Sequence, residues 1–126
     1  MEDIVKKARS ARESAYAPYS NYRVGAAIET KDGGVFTGAN VEFVNFSNTL
    51  HAEEAALSQA VLKGHREFET LAVSTKNGGT PCGMCLQSLT EFDGGSLTIL
   101  VDDGETATEF QLSELFPQPF SKGDIR

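Results

Sequence analysis

Tryptophan is absent from this chain of 126 residues, cysteine and histidine occur only twice each, and proline four times. Two cysteines exclude a disulfide framework. Because both fall in one stretch, "PCGMC", they read as a metal-binding or redox-active pair before a structural bridge. No apolar run approaches the roughly 20 residues that a membrane-spanning helix requires, which argues against insertion in a bilayer. The opening "MEDIVKKARSARESAY" mixes acids with bases and lacks the unbroken apolar stretch of a secretion signal, so a cytoplasmic location is expected. Basic residues are in the minority, 11 against 18 acidic ones, and the net charge of -7 repels a phosphate backbone. Polymeric nucleic acid is therefore a poor partner. No repeat, linker or low-complexity segment divides the chain, and one domain spanning residues 1–126 is expected.

What is present is strongly patterned. Ile4, Val5, Ala8, Ala11 and Ala15 recur near helical spacing and stop before "APYS", where Pro18 favours a turn, so the chain is predicted to open with an amphipathic helix. "YRVGAAIET" and "GVFTGANV" flank "KDGG" and predict a β-hairpin. Between Ala52 and Lys63 a face of small residues predicts a second helix, with Gly64 as its stop. "TLAVST" then reads as a strand, "CGMCLQSLTEF" as a helix begun after Pro81, "SLTILV" as a buried strand and "TATEF" as an edge strand. "LSELFPQPF" reads as a helical turn halted by Pro117 and Pro119. A strand, a crossover helix and a second strand imply parallel pairing, so the expected class is α/β, a mixed sheet with helices on both faces.

The two motifs that carry chemistry, "HAE" and "PCGMC", both fall at predicted helix N-termini following strands, the end of an open α/β sheet where ligands bind. Cys82 and Cys85 are three residues apart, so their sulfurs can share one side of the first helical turn, where the helix dipole favours thiolates. A catalytic zinc takes three protein ligands and a water, and His51 would be the third. Zinc lowers the pKa of the water it binds to about 7. Glu53, two residues beyond His51, is close enough to move protons to and from that water without being a ligand. Each motif alone has a plainer reading. A CxxC is also the pattern of a thioredoxin-like redox pair, and "HAEE" could be solvated acids at a helix start. Together, with Pro81 in place and no third cysteine, they favour the metal site. His65, which follows Gly64, reads as a surface histidine near a helix C-terminus and is set aside.

His-x-Glu followed by Pro-Cys-x-x-Cys resembles the zinc deaminase signature. More of the chain is similar to the small cytidine deaminase family: "AYAPYSNYRVGAAI" resembles its N-terminal segment, "GANVEFVNFS" its nucleoside-binding strand end, and "SELFPQPF" its closing segment. The resemblance implies a three-layer α/β/α fold and one Zn2+ per subunit, held by His51, Cys82 and Cys85, with Glu53 as the proton carrier. It further implies that Asn40 and Glu42 bind the ribose, that Tyr22 lines the pocket, that backbone near Ala52 and Pro81 orients the base, and that Phe120 stacks on it. The substrate would be a small nucleoside. A carboxylate such as Glu42 accepts a hydrogen bond from a sugar hydroxyl and repels a phosphate in the same place, which favours a free nucleoside over a nucleotide. The implied reaction is hydrolytic deamination of cytidine and deoxycytidine to uridine, deoxyuridine and ammonia, in pyrimidine salvage. The implied assembly is a homotetramer with sites at subunit contacts, each borrowing its stacking Phe from a neighbour.

The chain also departs from the family. Three-cysteine members carry Cys at the first ligand position and Arg after the Glu, where this chain has His51 and Glu54. Two thiolates and a neutral imidazole already balance Zn2+, so an Arg would have less to offset. Leu86 stands where the family has a second Arg, Phe46 replaces a common Tyr, and Phe43, Val44 and Asn45 differ from the usual smaller residues. A same-fold deaminase of another cytosine nucleoside, such as blasticidin S, and a non-catalytic zinc or redox module built on the CxxC are the competing expectations.

Overall fold

Ile4, Val5 and Ala8 are all buried along one side of the first helix, α1 (Glu2–Arg12), as their spacing predicts. The computed structural model describes residues 2–93 and 95–125. After α1 come β1 (Gly25–Thr30), β2 (Val35–Ala39), a 3-10 turn (Phe46–Asn48), α2 (Ala52–Leu62), β3 (Phe68–Ser74) and α3 (Gly83–Thr90). The chain continues through β4 (Thr98–Asp102), β5 (Ala107–Gln111), α4 (Leu112–Leu115) and a final 3-10 turn (Lys122–Ile125). The five strands form one sheet in the order β2-β1-β3-β4-β5. β3 and β4, joined through α3, pair in parallel, and the other neighbours are antiparallel, giving the expected mixed sheet. Among the described residues no helix is long and apolar enough to cross a membrane.

Alternation along the strands divides the core into two layers. Ala27, Ala72 and Leu100 pack under α1, while Ala26, Ile28, Leu71, Val73, Ile99 and Val101 meet α2, α3 and α4 on the other face. The architecture is three-layer α/β/α. Two glycines let helices approach the sheet closely. A Cβ on Gly25 would lie 2.1 Å from the Ala8 carbonyl oxygen of α1, and one on Gly38 would lie 2.6 Å from both the Ala52 oxygen and the Ala56 nitrogen of α2. Arg9 adds a polar brace between α1 and β4, donating through Nε and Nη2 to the fully buried Asp102 at 2.9 and 2.6 Å. Burial raises the Asp102 carboxyl, but hydrogen bonds from Arg9, Ser74 and the Gly104 N–H outweigh it and hold the group below the ordinary carboxylate range.

α2 starts and stops where its sequence predicts. The N–H groups of Gly64 and His65 donate to the carbonyls of Val61 and Ala60, a Schellman end that Gly64 permits with its φ of 96°. His65 is partly exposed at this helix end, as its sequence position suggests, with its ring 5.3 Å from that of Phe36 and its Nδ1 3.6 Å from Asp32 Oδ2. The hairpin strands are shorter than predicted. The Asn40 N–H still donates to the Val24 carbonyl, but the Val24 N–H donates to Asn40 Oδ1 and Asn40 Nδ2 to the Tyr22 carbonyl, so a side chain takes one of the ladder bonds at that end. Antiparallel pairing sets Gly25 opposite both Ala39 and Ser74, which gathers the segment before β1 and those after β2 and β3 at one edge of the sheet.

Gly25 and Gly38 serve opposite faces, and only Gly38 lies under the helix that begins at His51. Gly25→Ala and Gly38→Ala are each expected to cost about 1–3 kcal/mol through overpacking. Calorimetry should show both losses, whereas metal analysis of the purified chains should show weakened zinc retention for Gly38→Ala alone; equal retention would contradict the role given to Gly38.

Candidate active site

His51 is the N-cap of α2 and Cys82 the N-cap of α3, and neither side chain caps its own helix. They turn toward each other instead. His51 Nδ1 lies 3.1 Å from Cys85 Sγ and 3.4 Å from Cys82 Sγ, and the two sulfurs are 3.7 Å apart. In a zinc tetrahedron the ligand bond lengths correspond to edges of about 3.8 Å between sulfurs and about 3.5 Å between sulfur and nitrogen. The three atoms therefore already sit near the spacing one ion imposes, and Nδ1 is the imidazole nitrogen that faces the sulfurs. Burial raises the Cys85 thiol far above its ordinary range, and the negative charges of Glu53 and Cys82 add to the rise. A divalent cation reverses that balance, since a coordinating thiol is deprotonated. The donor set fits zinc.

Glu53, in the first turn of α2, is buried and lines the same cleft. Its burial pushes the carboxyl above the ordinary glutamate range, opposed by its own backbone N–H, His51 and the Cys85 thiol. A buried carboxyl whose pKa is raised, set beside the candidate metal ligands, is the kind of group that general acid–base work uses.

The cleft, about 280 Å³, runs from this cluster to the gathered strand ends, where Asn40, Glu42 and Tyr22 line it. Glu42 is held by the "YSNY" loop. Its Oε1 accepts from the N–H groups of Tyr19 and Ser20, both at 3.0 Å, and its Oε2 accepts from the Ser20 hydroxyl. A carboxylate has about four acceptor sites, so these bonds leave one on Oε2. The Ser20 hydroxyl bond is the main cause holding the Glu42 carboxyl below its ordinary range; burial opposes it, and the Ser20 and Tyr19 N–H groups reinforce it. Asn21 turns this loop in the left-handed region, φ 57°, which Asn tolerates better than most residues.

The Cytidine and deoxycytidylate deaminase zinc-binding region model matches residues 1–101. The chain belongs to this deaminase family. It is 40% identical over 131 residues to a cytidine deaminase of Sporosarcina psychrophila, a match covering 99% of this chain and 94% of the relative. The crystal structure of a cytidine deaminase from Burkholderia pseudomallei superposes with a TM-score of 0.89 at 36% identity, covering 94% of this chain and 98% of that one. A cytidine deaminase from Mycobacterium tuberculosis superposes with a TM-score of 0.83, also at 36% identity, covering 95% and 96% respectively.

As a member of the deaminase family, the chain brings most of its sequence-predicted residues into one cleft. His51, Ala52, Glu53, Cys82, Asn40, Glu42 and Tyr22 line it, Cys85 is buried behind His51, and Pro81 is buried between Thr80 and Cys82. Phe120 is not brought there. It is 58% exposed beside a separate cavity next to α3, where its carbonyl accepts from Gln87 Nε2 at 2.7 Å. Three residues that the sequence reading passed over complete the scaffold. Ser20 clasps Glu42, Thr49 lines the cleft ahead of His51, and Asn77 Oδ1 accepts from the Tyr22 hydroxyl at 2.6 Å. Ser20 and Asn77 stand in Ser/Asn-bearing loops, a turn signal rather than a site signal.

Replacing Ser20 by Ala removes the largest cause of the Glu42 shift. The Glu42 pKa is then expected to rise toward the ordinary glutamate value of about 4.3, as followed by NMR titration of its side-chain carbonyl; an unmoved titration would contradict the clasp.

Proposed function

We propose that the chain catalyses zinc-dependent hydrolytic deamination of cytidine and deoxycytidine, releasing uridine or deoxyuridine and ammonia, as a cytoplasmic enzyme of pyrimidine salvage. The observation that carries this reading is the buried Glu53 beside the His51–Cys82–Cys85 cluster, in one cleft with Asn40 and Glu42. His51 Nδ1 and the sulfurs of Cys82 and Cys85 would hold the ion. Zinc, when bound, supplies acidified water at neutral pH.

The chain's own residues bind the nucleoside and move the protons. Glu42 Oε2 accepts from a ribose hydroxyl at its remaining site, and Asn40, which keeps one N–H and one lone pair free of its scaffold bonds, takes a second sugar contact. Tyr22, fixed by Asn77, walls the cleft, and the backbone around Ala52 and Pro81 orients the base. Glu53 takes one proton from water and delivers it to N3 of the cytosine ring as the C4–O bond forms. It then carries the second proton to the departing amino group, the C4–N bond breaks, and ammonia leaves.

The position of Phe120, exposed and outside its own chain's cleft, supports the reading in which it stacks on a base held by a neighbouring copy within a homotetramer.

Assayed by loss of cytidine absorbance, Glu53→Gln should retain zinc and lose turnover by at least about a hundredfold. Phe120→Ala should also be impaired, and mixed assemblies of the two variants should recover activity, because an intact Glu53 cleft then receives an intact Phe120. Turnover by Glu53→Gln would exclude its proton role; absence of recovery would exclude the shared site.

A further inference from the structure

Glu54 follows the buried Glu53 and, on sequence alone, is a bystander at a helix start. Its position makes its behaviour informative. Ala52, Glu53 and Glu54 are the first three residues of α2, so Glu54 is at N3, where a glutamate ordinarily folds back to accept from the N-cap N–H. Elsewhere in this chain that happens: Glu114, at N3 of α4, accepts from the Gln111 N–H at 2.8 Å. Glu54 instead reaches sideways, and its Oε2 accepts from the Ser88 hydroxyl of α3 at 3.0 Å.

The partners stand in register with the metal cluster. Glu54 is three residues after His51 on α2, and Ser88 is three residues after Cys85 on α3. Residues three apart on a helix share a face. The His51–Cys85 approach at 3.1 Å and the Glu54–Ser88 bond at 3.0 Å thus form two successive rungs between the same helices, one turn apart. Ser88 has a single hydroxyl hydrogen, and its alternative acceptor is the Met84 carbonyl of its own helix at 3.1 Å. The Glu54 oxygen is the nearer of the two, 3.0 against 3.1 Å, and takes the hydrogen across the interhelical gap. An acid here brings unfavourable charge, and Glu54 adds to the forces that raise Cys85. The cross-helix bond, together with the positive end of the α2 dipole, offsets that charge.

We infer that Glu54 and Ser88 are positioning residues, a hydrogen-bonded rung that fixes the separation of α2 and α3 and so holds His51 and Cys85 at zinc-binding distance. The inference rests on the zinc reading of His51, Cys82 and Cys85 and is specific to the acid this chain carries after Glu53. Only the acceptor oxygen is needed, and the amide of glutamine also provides one.

The test uses the zinc-loaded full chain with excess chromogenic chelator, following the rate of zinc release. A net hydrogen-bond contribution corresponds to a change of about two- to tenfold. Ser88→Ala and Glu54→Ala are each expected to release zinc faster by that factor, and the double variant no faster than the faster-releasing single variant. Glu54→Gln should stay within about twofold of the parent. In the cobalt-substituted protein the visible bands should move in Ser88→Ala and Glu54→Ala and remain in place in Glu54→Gln. Unchanged release and unchanged bands in Ser88→Ala, even with a lowered melting temperature, would overturn the rung, as would additive effects of the two alanine changes. Glu54→Gln behaving like Glu54→Ala would also overturn it, by assigning the effect to charge. A parent chain that takes up no zinc would instead remove the metal reading, and this inference with it.

Discussion

Two helices of this chain begin on residues whose side chains do not cap them, and the site depends on that exchange. An N-cap is usually Ser, Thr, Asp or Asn, and replacing such a residue costs about 0.5–2 kcal/mol. α2 begins on His51 and α3 on Cys82, and both side chains join Cys85 in a cluster whose ligand atoms lie within 4.8 Å of one another. Bound metal returns stability to a chain that gives up these caps, because ligands held together only in the folded state couple zinc affinity to folding. The same helix starts supply partial positive charge to the thiolates and to Glu53.

The sheet makes the convergence possible. With β1 between β2 and β3, the ends of β2 and β3 share one edge with the start of β1, and each of those segments delivers part of the cleft: Asn40 and Glu42, the loop leading to α3, and the Ser20–Tyr22 segment. Gly38 brings α2 down onto that edge. Burial then acts on two carboxylates in opposite senses. Burial raises Glu53 against the opposing pull of its backbone N–H, His51 and Cys85, while Glu42, clasped by three donors, is held below the ordinary carboxylate range. One cleft thus contains two buried carboxyls that their surroundings drive in opposite directions.

Much of this arrangement was legible in the residues. Hydrophobic spacing placed α1, Gly64 marked the end of α2, and the strand–helix–strand order predicted the parallel β3–β4 pair, because these signals are local. The grouping of His51, Cys82 and Cys85 was legible because metal chemistry demands particular donors at particular spacings. Contacts between side chains distant in sequence were not. The hairpin strands end sooner than their residues suggest because the Asn40 amide takes the Val24 N–H, and the contact of His65 with Phe36 crosses from one element to another. Ser20 and Ser88 carry no signal beyond being polar; their roles arise only when loops and helices are brought together. Phe120 was legible as part of a resemblance to the closing segment of a family, while its place outside its own cleft is a fact of three-dimensional structure.

Zinc-edge X-ray absorption on the metal-loaded chain tests the shared helix-start site most directly. It should show two sulfurs at about 2.3 Å and one imidazole nitrogen at about 2.0–2.1 Å, with a light atom completing the shell. A shell of four sulfurs, or one of oxygens alone, would contradict the joint assignment of His51, Cys82 and Cys85.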